Sequence, residues 1–209
     1  MRHFIYLTAL FIFAGFPTLQ ASAETAEESV LKIQNSYASL KDVKGKFVQK
    51  NYMKDIGSTL SYSGNFIIKR PGRMKWIYKD QEILIKDGMV LLYDKSQKSA
   101  YKSRFDRSTF GTTPVALLED FGDITKEFDI TAKKGRLHLK PKNPMPGISF
   151  IEIEPSPDST FPIKSFTIVD TSSNRIDILL KDVEPNTNIG DSEFTINLPQ
   201  GVKPLEHNP

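Results

Sequence analysis

Polar and apolar positions change period at one point near the start of the chain. Between residues 25 and 41, Val30, Ile33, Tyr37 and Leu40 recur at spacings of three and four, with Glu27, Glu28, Lys32 and Asn35 on the other side. That spacing predicts an amphipathic helix, with acidic residues early, where the helix dipole favours them. From Val43 onward the period is two. In "TLSYSGNFII", Leu60, Tyr62, Gly64, Phe66 and Ile68 share one face, and Ser61, Ser63 and Asn65 share the other. Strand side chains alternate in this way.

Further strands are predicted at Arg73–Lys79, Glu82–Lys86, Met89–Asp94 and Gln97–Ser103. Pro71-Gly72 suits the centre of a type II turn, and Asp87-Gly88 a type I′ hairpin turn. A second helical insert is expected at Pro114–Phe121, with Thr112 or Thr113 as cap and Pro114 at the first helical position. The two-residue period then resumes at 127–132, 136–140, 148–154, 163–170, 175–183 and 193–198.

Short, even connections between sequential strands imply an antiparallel meander. About ten or eleven strands is long for an open twisted sheet, which tends to curl or close. The expected fold is mainly β with short α: a curled sheet with a concave apolar face, and only the two helical segments to cover it. Residues 24–209 contain no internal repeat or linker and read as one domain.

Residues 1–23 read differently. Arg2 precedes an apolar run from Phe4 to Phe16 and a small-residue end at Ala21-Ser22-Ala23, the layout of a secretory signal peptide cleaved after Ala23. The run is too short for the roughly 20 residues that span a bilayer. The mature protein is therefore expected to be soluble and exported. Cleavage removes one of 28 basic side chains and none of the 25 acidic ones, so the remainder is near neutral. Such a balance argues against nucleic acid as a partner. There is no cysteine, so a packed core rather than disulfides must hold the fold, and no lipid can be attached through a cysteine thioether.

Catalytic patterns are missing. Past Ala23 the histidines are His138, mid-strand in "RLHLKP" and expected to face solvent, and His207 in the tail. Neither spacing makes a zinc site, and no phosphate loop, nucleophile elbow or H-E-x-x-H motif occurs. Glu152 and Glu154 read as exposed charge. What remains is aromatic and apolar: Phe47, Tyr62, Phe66, Met74, Trp76, Tyr78, Met89, Leu91 and Tyr93. These are either core or the wall of a binding cavity.

Five stretches resemble the periplasmic outer-membrane lipoprotein carrier (LolA) family. They are "VKGKFVQK" at 43–50, "SGNFIIKRPGRMKWIY" at 63–78, "ILIKDGMVLLYD" at 83–94, "GTTPVALLED" at 111–120 and "FTINLPQGV" at 194–202. The Lys-Arg-Pro turn before an aromatic strand is the most specific part. The resemblance implies an unclosed antiparallel β-barrel with a helical lid over an apolar cavity, without enzymatic activity or cofactor. It implies a monomer that takes acylated lipoproteins from an inner-membrane ABC transporter and delivers them to an outer-membrane receptor. The expected acyl-chain cavity comprises Phe47, Tyr62, Phe66, Met74, Trp76, Tyr78, Met89 and Leu91. Arg70 matches the arginine that holds the lid closed, with Pro114, Val115, Leu117 and Leu118 in the lid. Two departures are the short C-terminus and the basic strand carrying Lys95, Lys98, Lys102 and Arg104. A related module of the same fold, binding a free lipid or a signalling peptide, is the alternative.

Overall fold

The computed structural model describes residues 25–105, 124–157 and 161–206. The cap motif sets where the first helix begins. Thr25 Oγ1 accepts from Glu28 N, Glu28 Oε2 accepts from Thr25 N, and this capping box opens α1 at Ala26–Ala38. Val30, Ile33 and Tyr37 are its buried stripe, as the spacing of three and four requires.

Six strands follow: β1 (Asp42–Met53), β2 (Ser58–Lys69), β3 (Arg73–Tyr78), β4 (Gln81–Lys86), β5 (Met89–Asp94) and β6 (Ser99–Arg104). A short α2 (Ile124–Glu127) precedes β7 (Phe128–Lys133), β8 (Arg136–Pro141), β9 (Phe150–Pro155), β10 (Ile163–Val169) and β11 (Arg175–Pro185). The last strand is β12 (Pro204–Glu206). All form one sheet in the order β12-β6-β5-β4-β3-β2-β1-β11-β10-β9-β8-β7. β1 pairs with β11 and so joins the two halves of the meander; the end strands β7 and β12 do not pair with each other, so the barrel is unclosed.

Among the described residues, every strand pairing is antiparallel except β12 with β6. That three-residue parallel strand brings the total to twelve, against the ten or eleven expected. The expected strand at 193–198 is not in the sheet. Its alternation is real, because Phe194 and Ile196 are buried. They pack with Leu84, Tyr93 and Ala100 on the outer face of the sheet, and Thr195 O accepts from Lys75 Nζ at 2.7 Å. A period of two reports which side chains are buried, not whether the backbone joins a ladder.

Turn chemistry is partly as expected. Asp87 and Gly88 take φ of 52° and 71°, the two positive values of a type I′ turn. The Arg70-Pro71-Gly72 loop differs from a type II turn. Lys69 pairs with Arg73, so three residues make the connection, the Arg70–Pro71 peptide is cis, and Gly72 has φ of 62°.

Two glycines admit aromatic rings into the core. Phe47 pairs across β1 and β2 with Gly64, and Phe66 with Gly45. A Cβ on Gly64 would strike the Ile77 carbonyl and the Phe47 ring; one on Gly45 would meet the Phe66 ring at 2.8 Å.

Candidate functional site: an aromatic interior under a latched helix

The concave face of β1 to β5 changes character along β1, β3, β4 and β5 at a common level, while β2 carries Tyr62 and Leu60 there. On β1 the inward positions run Val43, Phe47, then Gln49 and Asn51; on β3 they run Met74, Trp76, Tyr78, then Asp80. Ile85 and Ile83 of β4 lead to Gln81, and Val90 of β5 leads through the same face to Asp94, which pairs with Gln81. The face is thus apolar toward the Arg70 loop and polar at the other end.

At the apolar end the rings interlock. Phe47 and Trp76 centroids lie 4.4 Å apart, Phe66 stacks on Trp76 at 5.5 Å, and Phe47 meets Tyr78 edge-on at 4.8 Å. Phe66 and Trp76 are fully inaccessible to solvent. The Trp76 Nε1–H has no hydrogen-bond partner among the described residues, although buried indole N–H groups normally find one.

Helix α1 covers part of this interior. Val30, Ile33 and Tyr37 belong to the same apolar cluster as Phe47, Phe66 and Trp76, and the Tyr37 ring lies 6.2 Å from Phe161. Arg70 ties down the helix end: Nη1 donates to Tyr37 O at 2.8 Å, and the Arg70 backbone N donates to Lys41 O at 2.9 Å. The connection from α1 to β1 is anchored as well. Lys41 N donates to Asn186 Oδ1 at 2.8 Å, and buried Asp42 accepts from Thr187 N at 2.7 Å. Beside α1, against Phe128 and Ile130 of β7, a cleft of about 640 Å³ remains.

At the polar end, Tyr78 Oη donates to Gln49 Oε1 at 2.9 Å, and Gln49 Nε2 donates to Asn51 Oδ1 at 2.9 Å. Burial, with a smaller contribution from Tyr62, pushes the Tyr78 hydroxyl well above its ordinary titration range, so it is a permanent donor. Tyr62 stands edge-on to Tyr78 with centroids 6.4 Å apart. A cavity of about 550 Å³ opens here.

Of the residues expected to line one cavity, Phe47, Phe66, Met74, Trp76 and Tyr78 are brought together in the core. Tyr62 shares their face but lies half-exposed at the polar end. Leu91 does not join them. It packs against the outer cluster with Phe194 and Ile196, and Met89, two residues earlier on β5, takes the same outer side by alternation. The sheet is apolar on both sides at β4 and β5, so composition could not choose the side there. Pro114, Val115, Leu117 and Leu118 lie outside the described residues. The helix expected to contribute cover from 25–41 does so through Val30, Ile33 and Tyr37, which the alternation of the strands could not name as site residues.

His138 sits on the outer face of β8, its ring tilted against Phe150 with centroids 4.6 Å apart, between buried Leu137 and Leu139. Glu152 and Glu154 are on that face too, paired with Arg136 at 3.3 Å each. Among the described residues, no group of three or more His, Asp or Glu side chains could hold a metal ion, and no helix is long and apolar enough to cross a membrane.

The arrangement is a curled, unclosed twelve-stranded sheet with a helix held over an aromatic interior. Comparison with known proteins gives its class. The model of the outer membrane lipoprotein carrier protein LolA family matches residues 38–197, so the chain belongs to that family. It is 27% identical to the outer-membrane lipoprotein carrier protein of Bordetella pertussis, over 93% of this chain and 92% of that one. It is 26% identical to the carrier protein of Pseudomonas putida, over 87% and 89%. Among solved structures, an uncharacterized conserved protein of Thermus thermophilus shares the fold with a TM-score of 0.56 at 8% identity, covering 87% of this chain and 99% of that one.

Proposed function

We propose that this protein carries acylated lipoproteins across the periplasm, accepting them from an inner-membrane ABC transporter and passing them to an outer-membrane receptor. In this reading residues 1–23 are removed on export, residues 24–209 act as one carrier domain, and the carrier works as a monomer without cofactor or catalysis. Family membership supports the lipoprotein cargo. The observation that carries the mechanism is the position of α1, which lays Val30, Ile33 and Tyr37 on the Phe47, Phe66 and Trp76 cluster and is held at its end by Arg70.

Each acyl chain buries roughly a dozen methylenes at about 0.8 kcal/mol apiece, so it will not cross water uncovered. The same energy is a hazard, because a carrier that binds so tightly cannot release. An interior filled by the protein's own helix answers both needs. Chains enter only by displacing α1 from the aromatic strip, and the helix packing given up on opening lowers the net affinity. The Phe47, Phe66, Met74, Trp76 and Tyr78 surface becomes the chain-binding wall when the helix moves, and the anchored residues 41 and 42 serve as its hinge. Arg70 sets how strongly the closed state competes.

Mass spectrometry of the protein recovered from the periplasm of expressing cells tests this. Intact acylated lipoproteins should accompany it. Recovery of free lipids alone, with no acylated protein, would contradict the carrier reading.

A further inference from the structure

The geometry points to a fixed polarity of the cargo: its acyl–peptide junction, with neutral ester and amide groups, sits in the Tyr78–Gln49–Asn51 mouth, and the chains run from there past Trp76 toward the Arg70 loop. The placement rests on the carrier reading above.

Four neighbouring strands, β1, β3, β4 and β5, change from apolar to polar at one level, while β2 between them carries Tyr62 and then Leu60, and the cross-strand register makes the level common. Phe47 pairs with Gly64, Gly64 with Tyr78, Gln49 with Tyr62, and Gln81 with Asp94. At β3 and β5 the core ends in the carboxylates Asp80 and Asp94, and at β1 in neutral amides. The amides form a hydrogen-bonded chain that begins at a buried phenol, beside a cavity of about 550 Å³. Asn51 lines the mouth, and its Oδ1 accepts from Gln49, so its side-chain amide retains its N–H groups as donors. Neutral amide donors match ester carbonyls, which only accept, and amide donors and acceptors together match peptide groups, which carry both functions.

The charges select against the simplest competing ligand. Asp80 and Asp94 line the mouth against a single ammonium, Lys79. The Asp94 carboxylate is held in place by Ser96 Oγ at 2.6 Å and Gln97 N at 2.9 Å. An extra carboxylate, as on a free fatty acid, meets like charge there. The opposite end cannot take a polar group as readily, because its inward positions are the buried apolar side chains Phe66, Met74 and Ile85. Trp76 lies one inward step from Tyr78, between the mouth and the Arg70 end.

Trp76 emission of the full-length mature protein, titrated with a synthetic diacylated cysteinyl peptide amide and separately with palmitate, tests the placement. Asn51 and Asp80 are at the rim, outside the packed core, so Asn51→Leu and Asp80→Lys should keep the fold, as melting curves can verify. Asn51→Leu should weaken lipopeptide binding about tenfold, the scale of one lost hydrogen-bonding group, and weaken palmitate much less. Asp80→Lys should tighten palmitate several-fold with little change for the lipopeptide. If either variant behaves as wild type, the placement is overturned and the carrier reading stands. A wild-type protein that responds to palmitate and not to the lipopeptide overturns both.

Discussion

Arg70 Nη1 donates to the carbonyl oxygen of Tyr37, at 2.8 Å, across 33 residues of sequence. Tyr37 is in the last turn of α1, where carbonyls lack helical partners and the dipole favours a cation. The first turn of α1 has Glu27 and Glu28, but its last turn has no basic residue. The sheet supplies the charge that the helix lacks. Arg70→Leu should therefore free the end of α1 while leaving the β2–β3 ladder intact. Weakening by about 1 kcal/mol is the scale of a net hydrogen bond at a solvent-touched site. The variant should bind lipoprotein more tightly and deliver it to the receptor more slowly; normal transfer in a reconstituted assay would rule out the latch.

Gly64 is the tightest point in the strand pairs. Gly64→Ala must displace both the Phe47 ring and the Ile77 carbonyl, and backbone cannot yield as a ring can. We expect a loss of about 2–3 kcal/mol in urea unfolding, at the upper end of overpacking costs. At Gly45 a ring edge is the main obstacle, with Lys181 O at 3.1 Å, so Gly45→Ala should cost less. Equal costs would show that the rings, not the backbone, set the limit.

Trp76 gives an asymmetric pair of substitutions. Trp76→Ala opens a large cavity in the core and should cost about 3–5 kcal/mol. Trp76→Phe keeps much of the volume and removes the unpartnered N–H, whose burial is itself unfavourable. Its cost should fall below about 1.5 kcal/mol, read by circular dichroism because Trp76 is the sole tryptophan.

Much of this architecture was legible because its signals are local. The capping box at Thr25 and Glu28, the stripe at Val30, Ile33 and Tyr37, and the Asp87-Gly88 turn each act over a few residues. Trp76, Met74 and Phe66 could be assigned to one face because alternation leaves no choice. The failures are where two solutions have the same period. Phe194 and Ile196 alternate equally well in a strand or in a segment strapped over the sheet by Lys75 and Lys69. Leu91 is apolar on a strand whose two faces are both covered, so which core it enters depends on long-range register. The polar mouth went unread for a third reason: Gln49 and Asn51 gain meaning only when Tyr78 and Asp94 from other strands lie beside them.

Glu82 should contribute to acid sensitivity. Burial pushes its carboxyl up, but hydrogen bonds from Lys95 and Lys75, at 2.9 and 3.1 Å, outweigh that and hold it below its ordinary value of 4.5. A depressed carboxyl stabilises the fold above its unfolded value, and the contribution disappears as pH falls through the folded one. Glu82→Gln should thus be less stable than wild type at pH 7, and the gap should narrow below about pH 4.5. A gap independent of pH would mean that the Lys75 and Lys95 pairs contribute nothing.

The central claim is that acyl chains displace α1 and reach the aromatic wall. The most direct test follows Trp76 emission while adding an acylated lipoprotein, and then the same protein without its acyl chains. We predict that the acylated form changes the emission saturably and that Arg70→Leu shifts the transition to lower concentration. Identical responses to the acylated and non-acylated forms, or none to either, would contradict the account.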